Sequence, residues 1–207
     1  MRRWRDEPSG RCDDRLQGAG QTGCLLERTA EPRRVGEEVS YPALRYSGEG
    51  TATASLRLSN AEPELAFPSG GSASYLATSA STGGDYGLFR WEMGASAGGP
   101  DPHFHRAMSE AFFVLSGTVL LYNGHVWAEA GPDDFLHVPP GGVHAFRNPD
   151  GPASMLMLFT PGAPRETYFE ELAALDDAAR ATMTAAGWTA LYARHDQFEV
   201  SGSAPPR

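Results

Sequence analysis

Three histidines and one glutamate are spaced so that a single ion can reach all four. His103-Phe104-His105 sets two imidazoles one residue apart, Glu110 lies five residues past His105, and His144 comes just after the turn sequence Pro139-Pro140-Gly141-Gly142. Successive side chains of an extended strand point to opposite faces, so His103 and His105 share a face. A carboxylate and a third imidazole complete a mixed nitrogen and oxygen shell. Such a shell suits Fe, Mn, Ni, Cu or Zn, whereas Ca and Mg favour oxygen alone. His103, His105, Glu110 and His144 are therefore the expected ligands of one divalent transition metal. Four ligands leave one or two positions of a five- or six-coordinate ion open, the property that separates a catalytic site from a closed structural one. Glu110 is also the expected catalytic base, because a carboxylate beside the ion can accept the proton of an enol or phenol.

Strands must carry these groups. Segments 73–78, 86–93, 111–115, 118–123, 125–130, 135–138, 144–148 and 154–160 are short and apolar, with turn residues between them, and Asn123-Gly124 is a hairpin signal. Many short strands at this spacing imply an all-β sandwich or barrel. Alternation from Glu110 aligns Phe112 and Val114 with the carboxylate, and alternation from His144 aligns Phe146 and Asn148 with the imidazole. The expected substrate pocket is lined by Phe112, Val114, His137, Phe146 and Met157, with Phe89 or Trp91 and Met155 on neighbouring strands. It suits a flat, largely apolar molecule with one or two oxygens. The plainer reading of these residues is core, since a small barrel fills much of its own interior. His137 faces either the cavity or the core, Asn148 caps a strand turn, and His125 and His195 are solvated.

After Pro161 the pattern turns helical. Tyr168, Phe169, Leu172 and Leu175 make one apolar stripe, Pro164 suits a first turn, and Asp176 or Asp177 can cap a second helix ending at Gly187. These helices are expected on the outside of the barrel or on a second subunit, and 188–200 as a returning strand or closing segment.

The two-part spacing resembles that of the cupin superfamily. In the first part Gly98 or Gly99 precedes His103-x-His105, then Glu110 and Gly117. In the second, Gly131 leads to Pro139-x-Gly141, His144 and Asn148. The first glycine sits slightly closer to His103 than in the family, and Gly131 about two residues further from Pro139. Neither departure touches an expected ligand. The resemblance implies a jelly-roll (double-stranded β-helix) barrel, with one cupin domain over 40–200, a barrel core at about 73–160 and a C-terminal helical segment at about 164–187. The stretches 144–148 and Tyr168-Phe169-Glu170 are similar to single-barrel quercetinase-like dioxygenases, which carry a three-His, one-Glu shell. That likeness implies ring-opening oxygenation of an aromatic enol or polyphenol by O2, with Glu110 as base. The wider cupin resemblance implies pairing through edge strands, with a homodimer as the expected partner state. A redox-neutral Zn-dependent polyketide cyclase or isomerase, and a non-catalytic small-molecule binder, use the same barrel.

Composition narrows the field. The net charge is −9 and all 17 cationic side chains are Arg, so the basic footprint of a nucleic-acid binder is absent. The two cysteines, Cys12 and Cys24, lie outside the expected barrel and offer it neither disulfide nor thiolate ligand. The apolar run 155–159 is too short to span a bilayer, and no apolar signal core follows the Arg-rich start, so a cytoplasmic protein without a membrane partner is expected. Residues 1–39, with eight Arg and eight acidic residues and little apolar periodicity, read as a disordered extension, and 201–207 as a tail. Val39, after the purine-encodable Gly36-Glu37-Glu38, reads as an alternative start.

Overall fold

The computed structural model describes residues 41–67, 70–95, 98–149 and 151–200. The expectations for 1–39 and 201–207 fall outside them. The chain divides into two units, 1–53 and 54–207. In the first, residues 41–53 are exposed and lie outside helix and strand, with the Tyr46 hydroxyl accepting from the Thr51 amide at 3.0 Å.

In chain order the strands are β1 (Leu65–Ala66), β2 (Ser72–Ala77), β3 (Gly87–Met93), β4 (His103–Phe104), β5 (Ser109–Ser116), β6 (Val119–Tyr122), β7 (Trp127–Ala130), β8 (Phe135–Val138), β9 (Ala145–Arg147) and β10 (Ala153–Thr160). Helices α1 (Arg165–Ala174), α2 (Asp177–Thr182) and α3 (Ala185–Arg194) follow, then β11 (Phe198–Glu199). One sheet has the order β1-β2-β3-β10-β5-β8, a second β7-β6-β9 and a third β11-β4. Every named pairing is antiparallel. The barrel strands lie within a residue or two of their expected positions; β4 takes only the first part of the strand expected at His103-Phe104-His105, β11 only two residues of the expected 188–200 segment, and β1 is an addition.

Residues directly opposite on paired strands project from the same face. Phe89 pairs with Met157 and Met157 with Phe112, while Trp91 pairs with Met155 and Met155 with Val114. These six therefore share the inner face of the large sheet, and the same register puts Glu110 level with Phe159. Phe112 meets Phe146 of β9 with ring centroids 5.6 Å apart, so both larger sheets contribute to one core. Fully burying each such side chain stabilises the fold by about 1.5–3 kcal/mol.

Gly117, between β5 and β6, has φ of +75°, and a Cβ there would lie 2.5 Å from the Pro152 carbonyl oxygen. Gly117→Ala combines a left-handed backbone that costs an L-residue about 1–2 kcal/mol with overpacking of about 1–3 kcal/mol. Urea unfolding should show a loss of about 2–5 kcal/mol at unchanged slope.

The helical region departs from expectation twice. Asp176 caps α2, accepting from the Ala179 amide at 2.7 Å, but the helix stops at Thr182. Thr184 then starts α3 by accepting from the Gly187 amide at 3.1 Å. Gly187, expected to end a helix, thus lies in the first turn of another that runs to Arg194, and only two residues beyond it pair as strand. The second departure is where α1 packs. Phe169 lies 5.8 Å from Phe89 and 4.9 Å from Trp91, ring to ring, and both belong to the inner face. The helix covers the interior of the large sheet rather than its outside, adding aromatic contacts worth about 0.5–1.5 kcal/mol each beyond burial.

Candidate metal centre

His103 opens β4 and is bridged antiparallel to His144, each amide donating to the other's carbonyl oxygen at 3.0 and 2.9 Å. His105 lies just past β4, and Glu110 is the second residue of β5. One reciprocal bridge and two strands thus bring residues 103, 105, 110 and 144 together. All four are at least 97% buried. Each offers one ligand atom, and those atoms lie within 4.8 Å of one another.

Hydrogen bonds on the far side of the rings set the tautomers. His103 Nδ1 meets the Asp101 carbonyl oxygen at 2.8 Å, His105 Nδ1 that of Asp196 at 2.6 Å, and His144 Nδ1 that of Gly142 at 3.1 Å. A carbonyl only accepts, so each Nδ1 carries the hydrogen and donates. Nε2 is then the atom each ring has left for an ion, the arrangement that orients metal-binding histidines. Glu110 Oε2 lies 3.1 Å from His105 Nε2 and 2.9 Å from His144 Nε2. Nitrogen lone pairs so close to a carboxylate oxygen repel unless a positive centre, proton or metal ion, lies between them. The donor set fits a divalent transition metal on this ground, independently of any resemblance.

Burial and the neighbouring His144 hold the His103 imidazole down at about 3, so it is neutral near pH 7. Burial alone would push the Glu110 carboxyl up. His105 and His144 outweigh it and hold the group well below the usual carboxylate range only while a proton sits on their Nε2 atoms, and a bound cation in that position would act in the same direction. Neutral imidazoles around a carboxylate are the forms that bind a cation.

Of the expected pocket residues, Phe112, Val114, Phe146 and Met157 are buried in the shared core, and the Phe112 ring stands 5.8 Å from that of His144. His137 does not join them. It pairs with Ala111, while Val138 pairs with Glu110, so His137 projects from the opposite face of the sheet and is exposed. Two grooves, of about 520 and 340 Å³, run along the 55–63 segment and β2 and share no residue with the metal cluster.

Asn148 ties a turn, as expected: it accepts from the Gly98 amide and donates to the Gly94 and Gly151 carbonyl oxygens. His125 is exposed, but His195 is not simply solvated, since its Nε2 meets Glu171 Oε2 at 2.6 Å. Two residues near the cluster escaped the sequence reading. Asp196 supplies the carbonyl that holds His105. Arg165 is 4% exposed, with its guanidinium carbon 4.2 Å from the Tyr168 ring centre, and its Nε finds no partner among the described residues. Burial lowers the Arg165 pKa from its ordinary value, and Glu110 is the foremost of the charges opposing that shift.

Residues 88–159 match the family model described as Cupin domain. Quercetin 2,3-dioxygenase of Bacillus subtilis (strain 168) is 32% identical over 70 residues, which are 34% of this chain and 20% of that protein. The match therefore spans only a fifth of that relative's length. Among solved structures, KdgF from Halomonas sp. is similar over 53% of this chain and 94% of its own, at 15% identity and a TM-score of 0.46. The polyketide cyclase RemF from Streptomyces resistomycificus is similar over 55% and 82%, at 20% identity and a TM-score of 0.44. No helix among the described residues is long and apolar enough to cross a membrane.

Proposed function

Because this chain is a member of the cupin superfamily, we propose that it is a metal-dependent dioxygenase of the quercetinase type, acting with O2 on an aromatic enol or polyphenol. The observation that carries this reading is the set of three Nε2 atoms converging with the Glu110 carboxylate, each ring fixed from behind by a backbone carbonyl. The matched stretch of quercetin 2,3-dioxygenase supports the choice of reaction.

His103, His105, Glu110 and His144 would hold the ion. When bound, a redox-active divalent metal supplies Lewis acidity to an enol oxygen and a route for electrons to O2. Glu110 takes the proton of the enol hydroxyl, which leaves the carbon framework electron-rich toward oxygen. Both atoms of O2 end in the product, so no external reductant is needed. Phe112, packed against His144, keeps that wall of the site apolar and favours a flat aromatic substrate.

A second reading is redox-neutral cyclisation or isomerisation on Zn, and one observation favours keeping it: the imidazole and carboxylate donor set accepts Zn as well as Fe, Mn, Ni or Cu. In that chemistry Glu110 is the proton carrier, since His137 faces away. Elemental analysis of protein purified without added metal, followed by oxygen uptake on a panel of flavonols and polyphenols, separates the two. Redox-active metal with O2 consumption is the expected result. Stoichiometric Zn with turnover that survives anaerobic conditions would replace the first reading with the second.

A further inference from the structure

We propose that residues 195–197, the turn joining α3 to β11, form a positioning element of the metal site that fixes His105 and the backbone after it. The proposal rests on the metal-binding reading above. His103 and His144 each find the carbonyl for Nδ1 two residues back in their own strand region, at Asp101 and Gly142. His105 instead reaches 91 residues along the chain, to the Asp196 oxygen. One ligand of the three therefore depends on how the C-terminal segment docks.

Asp196 grips that stretch with side chain as well as main chain. Its carboxylate accepts from the Arg106 amide at 3.1 Å and from the Ala107 amide at 2.8 Å. A single residue thus takes donors from three consecutive positions, 105 to 107, between two of the expected ligands. The backbone there is left-handed, with φ of +56°, a conformation in which Asp is one of the few tolerated side chains.

Arg165 locks the turn from beneath. Its Nη1 donates to the His195 carbonyl oxygen at 2.8 Å and its Nη2 to Gln197 Oε1 at 3.2 Å, so it holds the residues on either side of Asp196. The amides of His195 and Gln197 both donate to the Tyr192 carbonyl oxygen, and Phe198 pairs with Phe104 one residue from His105. The guanidinium of Arg106 closes over the Phe198 ring at 4.1 Å. The turn is therefore fastened to α1, α3 and β4 at once. Groups that hold a metal ligand from behind typically contribute 10–100-fold to metal affinity.

Asp196→Gly is the clean variant, because glycine keeps the left-handed backbone and removes only the carboxylate. Titration with Co2+ should show an affinity about tenfold weaker than wild type, the lower end of that range because the Asp196 carbonyl behind His105 stays and only its anchorage to 106 and 107 is lost, and the imidazole Nδ1–H resonance of His105 should shift in nitrogen-15 NMR while those of His103 and His144 stay in place. Asp196→Asn, which retains an oxygen acceptor, should restore most of the affinity, and Arg165→Met should move the same His105 resonance. Glu171→Gln, which removes the carboxylate that meets the His195 ring on the outer side of the same turn, should change neither readout. An unchanged Co2+ affinity and His105 resonance in Asp196→Gly would overturn the proposal, as would an equal affinity loss in Glu171→Gln, which would mark a general effect on stability. Failure of the wild type to bind Co2+ would instead overturn the metal reading, and the His105 resonance would still decide the positioning claim.

Discussion

Glu110→Gln should lower turnover by about 10²–10⁴-fold under saturating metal, the range lost with a general base. The amide has the shape of the carboxylate, so the packing around this 3% exposed side chain survives. What disappears is the negative charge and the basic oxygen facing His105 and His144 at 3.1 and 2.9 Å. Metal affinity should weaken as well, since a charged oxygen ligand is replaced by a neutral one. Measuring kcat together with metal affinity separates occupancy from chemistry, and turnover equal to wild type at full occupancy would remove Glu110 from the mechanism. The metal-free protein supplies an independent check. An amide N–H can donate to the imidazole lone pairs that the carboxylate opposes, so metal-free Glu110→Gln should melt no lower than metal-free wild type. A functional group that destabilises its own empty site is the usual signature of stability traded for activity.

The strands and the cluster of His103, His105, Glu110 and His144 were legible in the sequence because each rests on local patterns. Glu110, Phe112 and Val114 alternate along one strand, so its inner face could be read without knowing which strand pairs with which, whereas the inward face of 155–159 and of 87–93 follows only from their pairing with that strand. His137 shows where that logic ends. Its face is set by pairing Val138 with Glu110, and a shift of one residue would have turned His137 inward. The stripe of Tyr168 and Phe169 announced a buried helix face but not its partner, and the partner is the inner face at Phe89 and Trp91. The groups behind the histidines were invisible for a different reason. Asp101, Gly142 and Asp196 act through backbone carbonyls, which every residue type possesses, so nothing in their side chains marks the role. For Asp196 a weak sign existed after the fact: a carboxylate residue that tolerates a left-handed backbone, placed just past a helix end.

Chelating the metal should lower the melting temperature of the wild type by about 8–16 °C. At a free metal concentration a thousand times its dissociation constant, binding to the native state alone adds about 4 kcal/mol, and each kcal/mol moves the midpoint by about 2–4 °C in a chain of this size. The gain is expected to be large because the empty cluster is unfavourable in itself. Four polar side chains are withdrawn from water, and acceptor atoms of three of them, Glu110, His105 and His144, stand at hydrogen-bond distance with no fixed donor between them. An ion converts those repulsions into attractions, so stability and ligation are linked. His144→Ala should erase the effect. His144 is fully buried, and both its ring and its bridge to His103 belong to the centre. The variant should melt below metal-free wild type, because the cavity adds its own cost, and it should melt at the same temperature with and without added metal. A wild-type midpoint that neither falls on chelation nor recovers when metal is restored would show that the converging imidazoles and carboxylate do not hold an ion, and the proposed chemistry would fall with it.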